Sequence, residues 1–338
     1  MGARLGGWQR PHELTVNLET IMRALLSVLF ALPLFCEAQV SVQEYPLPKG
    51  LGVHDVWADA APGGPVYFSA QGSGHLGILD PKSGKVDTVA LGLGSSPHGV
   101  TMGPEGTVWL TDGGQNAIVR VDPRTRQVKA WGLPPDSGYM NLNTATFDGM
   151  GLHWFTGQSG IYGRLDPRTG EVKLFDAPKG SGPYGIQHTP DGTVYFASLA
   201  GSYVGRIDSA SGKVTVIEPP TKGQGARRVW SDSKGNVWVA EWNSGNLSRY
   251  EPKSGKWAQW KAPGNSPRVY AVYVDNADKV WVSEWSAQVM LRFDPATGKF
   301  ESFKSSSSSA NVRQIHGRQG EVWTPESAAG KLVVYRYK

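Results

Sequence analysis

The stretch SPHGVTMGPEGTVWLTD, Ser96–Asp112, sets two short apolar runs, HGVTM and TVWLTD, on either side of a Gly-Pro-Glu-Gly turn. Alternating β-branched and aromatic residues cut by Gly and Pro read as two antiparallel strands. The same pattern returns along the whole chain. VYFSA, VWLTD, HWFTG, VYFAS, VWVAE, VWVSE and VWTPE place Tyr67, Trp109, Trp154, Tyr195, Trp238, Trp281 and Trp323 in register, at separations of 42, 45, 41, 43, 43 and 42 residues. Helical periodicity is scarce throughout.

Behind each aromatic lies a further strand ending in a turn: ILDPKSG, RVDPRTR, RLDPRTG, RIDSASG, RYEPKSG and RFDPATG. In Asp-Pro-x-Ser/Thr-Gly, proline presets φ and glycine takes the positive-φ position that closes a hairpin. An outer strand follows, as in QVKAWGLP, EVKLFDAP and KWAQWKAP. Four short strands per unit, repeated seven times, predict an all-β protein: a seven-bladed β-propeller with four-stranded antiparallel blades. The last repeat stops at LVVYRYK without an outer strand, whereas SVQEYPLP near the start has no blade of its own. Pairing the two closes the ring and covers two exposed edges. Ser305 to Ser309 then forms a loop between blades, not a linker between domains.

The chain has 338 residues and a single cysteine, Cys36. From Met22 it reads MRALLSVLFALPLFCEAQ, the basic, apolar and small-residue layout of a signal peptide over 22–38, with cleavage after Ala38. Its apolar run is too short to span a bilayer, which needs about 20 residues. No membrane anchor is therefore expected. Residues 1–21 carry no apolar period and are read as a mis-assigned gene start. The mature chain, 39–338, is then one propeller domain, periplasmic or secreted. It has no cysteine and must be held by its core. The net charge of +5 is scattered over many turns, with no basic run. This excludes nucleic acid as an expected partner; a monomer with a small-molecule or peptide ligand at the channel mouth is expected instead.

In such a ring the innermost strands line the channel. His98 lies 11 residues before Trp109, and the same offset gives Asn143, Tyr184, Arg227, Tyr270 and Val312; in the first blade, with two extra turn residues, it gives His54. Six of these seven are polar, although Tyr184 and Tyr270 also carry apolar rings. A second ring, three residues after each aromatic, holds Ala70, Asp112, Gly157, Ser198, Glu241, Glu284 and Glu326. Both rings are expected to approach the channel mouth, together with Arg228, Arg268 and Arg313. Two readings stand at this point. The carboxylates pair with the arginines and keep a wet channel satisfied. Alternatively they bind a divalent cation or position a base, while arginine holds an anionic ligand.

The unit P-H/Y-G-h…G-x-h-W-F/V-x-E…G-R-h-D-P resembles the streptogramin B lyases, also called virginiamycin B lyases. The likeness is carried by PHGVTMGPEGTVWLTD, PYGIQHTPDGTVYFAS, GRLDP, GRIDS, WVAEW and WVSEW across essentially the whole mature chain. It implies a seven-bladed propeller that opens cyclic depsipeptides by elimination: a histidine removes the proton at the α-carbon of a threonine, and Mg²⁺ helps stabilise the enolate-like charge. The carry-over is partial. Glu326 matches one family glutamate, but Val312 stands where the base histidine of the last blade belongs, beside Arg313, and Ala310 where a glutamate precedes it. Arg268 or Tyr270 stands at the penultimate blade's Pro-His. Arginine is no base at ordinary pH.

The resemblance leaves Glu326, Glu284 and Tyr270 as catalytic candidates, with Glu284 and Glu326 at the metal. His54, His98, Asn143, Tyr184, Arg227, Arg268 and Arg313 are the ligand-binding candidates. Metal-assisted elimination on a cyclic ester or depsipeptide is the first expectation. A non-catalytic small-molecule or peptide binder and a lactone hydrolase are the alternatives.

Overall fold

In the computed structural model, which describes residues 1–3, 6, 7 and 40–337, every copy of the unit forms one four-stranded antiparallel sheet, seven in all. The first blade runs Val53–Ala58, Val66–Ala70, His75–Leu79, Val86–Ala90, and the next five repeat this order. The only helical pieces among the described residues are two 3₁₀ turns, Pro104–Gly106 and Pro135–Ser137. The seventh blade takes His316–Arg318, Glu321–Glu326 and Lys331–Arg336 from the end of the chain and Ser41–Pro46 from near its start. Ser41 pairs with Arg336 and Pro46 with Lys331, so the ring closes as the sequence predicts. The expected signal peptide, 22–38, lies outside the described residues. No helix among the described residues is long and apolar enough to cross a membrane.

The repeated aromatic is the anchor between blades. Trp154, Trp238, Trp281 and Trp323 are fully buried. A buried indole N–H needs an acceptor, and the sequence supplies one at a fixed offset. Trp154 donates to Asp148, Trp238 to Asp232 and Trp281 to Asp275, each six residues earlier, at 2.8–3.0 Å. The other oxygen of each aspartate accepts backbone N–H groups of the turn between the two innermost strands, such as Met150 and Leu152 on Asp148. One carboxylate therefore fixes both a turn and the core aromatic behind it.

The Asp-Pro turns form as read. Gly84 sits at φ 74° and its N–H reaches the Asp80 carbonyl at 2.8 Å. In RVDPRTR the same conformation falls on Arg126, at φ 62°, a backbone region that L side chains enter at some cost.

Six innermost strands slip register at one place, between Val53/Val56, Pro97/Val100, Leu142/Ala145, Pro183/Ile186, Ala226/Arg228 and Val269/Val272. Each slip inserts one residue opposite the second strand, a β-bulge that re-aims side chains. A hydroxyl two residues after the aromatic sustains it in several blades. Ser69 Oγ accepts the Asp55 N–H at 2.9 Å and donates to the His98 carbonyl of the next blade at 2.6 Å. Ser283 does the same between Ala271 N–H and the Val312 carbonyl, both at 3.0 Å. The bulge thus binds each blade to its neighbour at the channel.

Candidate functional site

All six polar members of the first ring fall inside these bulges, and their side chains meet. The His54 and His98 rings lie 3.9 Å apart, and Asn143 Nδ2 donates to His98 Nε2 at 3.3 Å. Across the mouth, the Tyr184 and Tyr270 hydroxyls are 2.7 Å apart, and Arg227 donates to Tyr184 at 2.9 Å while lying 3.6 Å over the Tyr270 ring. Val312, the seventh member, bridges to Glu326 and is buried. At the opposite ends of the innermost strands Trp57 stacks on His316 at 3.7 Å, against Trp230 and Tyr273.

A bulge turns two residues inward where a regular strand turns one. Behind His54 comes Asp55, and behind Arg227 comes Arg228. One guanidinium nitrogen of Arg228, in blade five, lies 3.2 and 3.3 Å from the two carboxylate oxygens of Asp55, in blade one. Both residues are buried. Burial pushes the Asp55 carboxyl up, but Arg228 and a hydrogen bond from His54 outweigh it and hold the pKa at about 2. Burial lowers both imidazoles. Asp55 partly offsets this at His54, while the neighbouring His54 takes His98 further down. Both are neutral at neutral pH. Burial raises the Tyr184 phenol to about 12, with Tyr270 adding to the rise; at Tyr270, Arg227 and Arg228 outweigh burial and lower it.

At the same mouth three arginines lie on aromatic rings. Arg227 also lies 4.6 Å over Trp242, Arg268 5.0 Å over Trp242, and Arg313 5.2 Å over Trp285. Trp285 in turn stacks on Tyr270 at 4.9 Å. Among the described residues none of these three guanidinium groups has a carboxylate partner within ion-pair distance. Beside them an open cleft of about 730 Å³ is lined by His54, Gln71, Ser95, Ser96, Asn311 and Arg313.

The acidic ring does not meet the arginine side chains. Glu241 is held inside its own blade, accepting from Ser244, Ser248 (2.5 Å) and Gln259 (3.1 Å). Burial raises its pKa against those bonds. Glu284 accepts the backbone N–H groups of Arg268, Ser286 and Ala287 at 2.6–2.9 Å. Glu326 takes Ser305 at 2.5 Å and the Lys331 ammonium at 3.3 Å. The expected pairing with Arg227, Arg268 and Arg313 is therefore replaced by local partners. The partners of these three glutamates lie in loops and strands near each one, not among the residues that meet at the mouth. A Mg²⁺ held by Glu284 and Glu326 would have to displace loop amides from one and a lysine from the other. That donor set does not fit a hard dication, which demands free carboxylate oxygens.

The structure thus brings together His54, His98, Asn143, Tyr184, Arg227 and Tyr270. It sets Arg268 and Arg313 on the rim, and keeps Glu284 and Glu326 in the scaffold between blades. Asp55, Arg228, Trp242 and Trp285 belong to the same cluster and were not singled out as site residues from the sequence, although Arg228 was placed near the mouth. The doublets His54-Asp55 and Arg227-Arg228 at a shared repeat position were the available signal, as were the tryptophans following Glu241 and Glu284.

The virginiamycin B lyase family model matches residues 36–261. Virginiamycin B lyase from Staphylococcus aureus is 20% identical and superposes with a TM-score of 0.79, over 88% of this chain and 99% of that one. A catalytically inactive histidine-to-alanine variant of that enzyme with quinupristin gives the same figures. The extracellular domain of a one-component system from B. thetaiotaomicron is 14% identical with a TM-score of 0.68, over 87% of this chain and 39% of that one. These likenesses show the fold. No curated protein sequence matches the chain. With two-thirds of its length under the family model, the chain belongs to the virginiamycin B lyase family.

Proposed function

We propose, from this family membership and from the site above, that the protein is an exported propeller that binds a small carboxylate-bearing molecule with a planar or apolar part at the channel mouth. One observation carries the reading: Arg227, Arg268 and Arg313 surround one mouth, each over an aromatic ring and, among the described residues, none neutralised. Arginine in this state forms forked hydrogen bonds to a carboxylate, while the tryptophans offer apolar edges to the rest of the ligand. The signal peptide read at 22–38 would put this site outside the cytoplasm.

Elimination is the second reading, and the neutral His98 imidazole favours it. A base must be unprotonated near the working pH and close to where a carbonyl or carboxylate is held. His98 meets the first condition. It also shares a ring contact with His54, which borders the Arg313 cleft. The family position of the base is Val312, so His98 would act from the other side of the mouth.

Calorimetric titration of residues 39–338 with a panel of aromatic and aliphatic carboxylates tests the first reading. Saturable binding that weakens with salt and is lost in Arg313→Ala is expected; binding indifferent to both Arg313→Ala and Arg268→Ala would sink it. Incubation with quinupristin tests the second. A ring-opened product of unchanged mass means elimination, one heavier by a water means a lactone hydrolase, and no product leaves a binder.

A further inference from the structure

On the histidine side of the mouth, His54, Asp55 and His98 each offer a ligand atom, all within 4.8 Å of one another, and all three residues are buried. His54 Nδ1 and Asp55 Oδ1 are already 2.9 Å apart. Two ligand atoms at metal–ligand distances of about 2.0–2.1 Å are separated by roughly that much when they sit at neighbouring coordination positions. His98 is 7% exposed, and its Nδ1 is buried without any hydrogen-bond partner. Asn143 donates to Nε2, which leaves the ring proton on Nδ1, where nothing receives it. A buried N–H without an acceptor loses its hydration uncompensated and calls for an explanation.

We propose that His54, Asp55 and His98 form a binding site for a borderline divalent transition ion of the Zn²⁺ class. Two imidazoles and one carboxylate suit Zn²⁺, Co²⁺ or Ni²⁺ and not Mg²⁺, which prefers oxygen and water. The ion takes His98 at Nδ1 once the Asn143 amide turns its oxygen toward Nε2–H. Thr144 Oγ1, which now donates to that oxygen, keeps its second acceptor, the Tyr184 carbonyl, at 2.8 Å. On His54 the ring proton moves from Nδ1 to Nε2, so neither histidine changes charge. Asp55 keeps Arg228 because a carboxylate has about four lone-pair sites. Arg228 then acts as the outer partner that orients the ligand. Three protein ligands leave an open position, and His54 borders the cleft beside it. The nearby positive charges of Arg228 and Arg313 limit affinity and make an anion the natural fourth ligand. This inference is independent of what the mouth binds.

The test is titration of chelator-treated residues 39–338 with ZnCl₂ by calorimetry, and with CoCl₂ followed by visible absorption. One ion per chain and cobalt bands of a low-symmetry nitrogen/oxygen site are expected. His54→Ala and His98→Ala should each weaken Zn²⁺ binding at least tenfold, whereas His75→Ala, on a partly exposed histidine in the outer half of blade one, should not change it. His98→Gln serves where alanine impairs folding, and circular dichroism confirms the fold of every variant. No binding by the folded wild-type chain overturns the proposal. So does binding that survives in the folded His54→Ala/His98→Ala double variant.

Discussion

Asp55 and Arg228 come from blades one and five, yet a single guanidinium nitrogen of Arg228 spans the two Asp55 oxygens at 3.2 and 3.3 Å, with both side chains removed from solvent. The pair ties non-adjacent blades across the channel. Removing one partner strands the other charge. Asp55→Asn is expected to cost about 3–5 kcal/mol, measured as the shift in urea unfolding. Asp55→Leu with Arg228→Met should recover most of that loss. A single-variant cost below about 1 kcal/mol would mean that water already screens the pair.

Rim and scaffold charges should separate cleanly. Arg313→Ala removes a side chain with only a 3.3 Å contact to Ser327 and a ring beneath it, so ligand binding falls while the melting temperature holds. Glu326→Gln should do the reverse. It unpairs Lys331 from one of its two carboxylates and weakens the Ser305 bond, costing roughly 1.5–3 kcal/mol with little effect on binding. Thermal denaturation and calorimetry of the two variants, compared side by side, decide it.

Trp285 contacts both Tyr270 and Arg313. Trp285→Ala should free that guanidinium and weaken ligand binding about 3- to 30-fold, the range of a desolvated cation–π contact. Trp285→Phe should restore part of the loss. Equal affinities in all three proteins would place the ligand elsewhere.

Acid should destabilise the fold earlier than carboxylate titration alone predicts. His153 sits between Trp109 and Phe147 with neither ring nitrogen bonded, and burial drops its pKa to about 3. His316 is also at about 3, through burial and then Arg318. In the unfolded chain both take a proton near pH 6.5, so stability is full above that value. It declines as pH falls toward 3, by up to about 1.4 kcal/mol per pH unit for each histidine. Urea midpoints from pH 7.5 to 4.5 should show the slope, and His153→Phe should reduce it. A slope unchanged in that variant would remove His153 from the account.

The blade count was legible because each aromatic anchor needs the same packed environment, and that need recurs every 41–45 residues. The ends were legible for a related reason: LVVYRYK and SVQEYPLP are each incomplete without the other. The site was less so. Strand alternation assigns one inward residue per blade, which finds His54 and Arg227 but hides Asp55 and gives Arg228 only a place near the mouth, because the bulge that turns both inward leaves no mark beyond the doublet itself. The glutamates misled for a different reason. Their partners are loop amides, serines and Lys331, groups with no periodic signature, whereas the arginines lay at conspicuous repeat positions.

The seam of the ring has a consequence for how the molecule comes into being. Ser41–Pro46 emerges in synthesis before all the other blade strands, and its ladder partner Lys331–Arg336 emerges after all of them. Until then the early strand is an unmated edge, and the growing stack of blades carries a second one at its other end. Such long-range pairing is slow to form and exposes surfaces that aggregate. The chain thus has no finished form shorter than the whole propeller, and a ribosome that stalls within the last repeat releases an open arc with two edges free to join a neighbour.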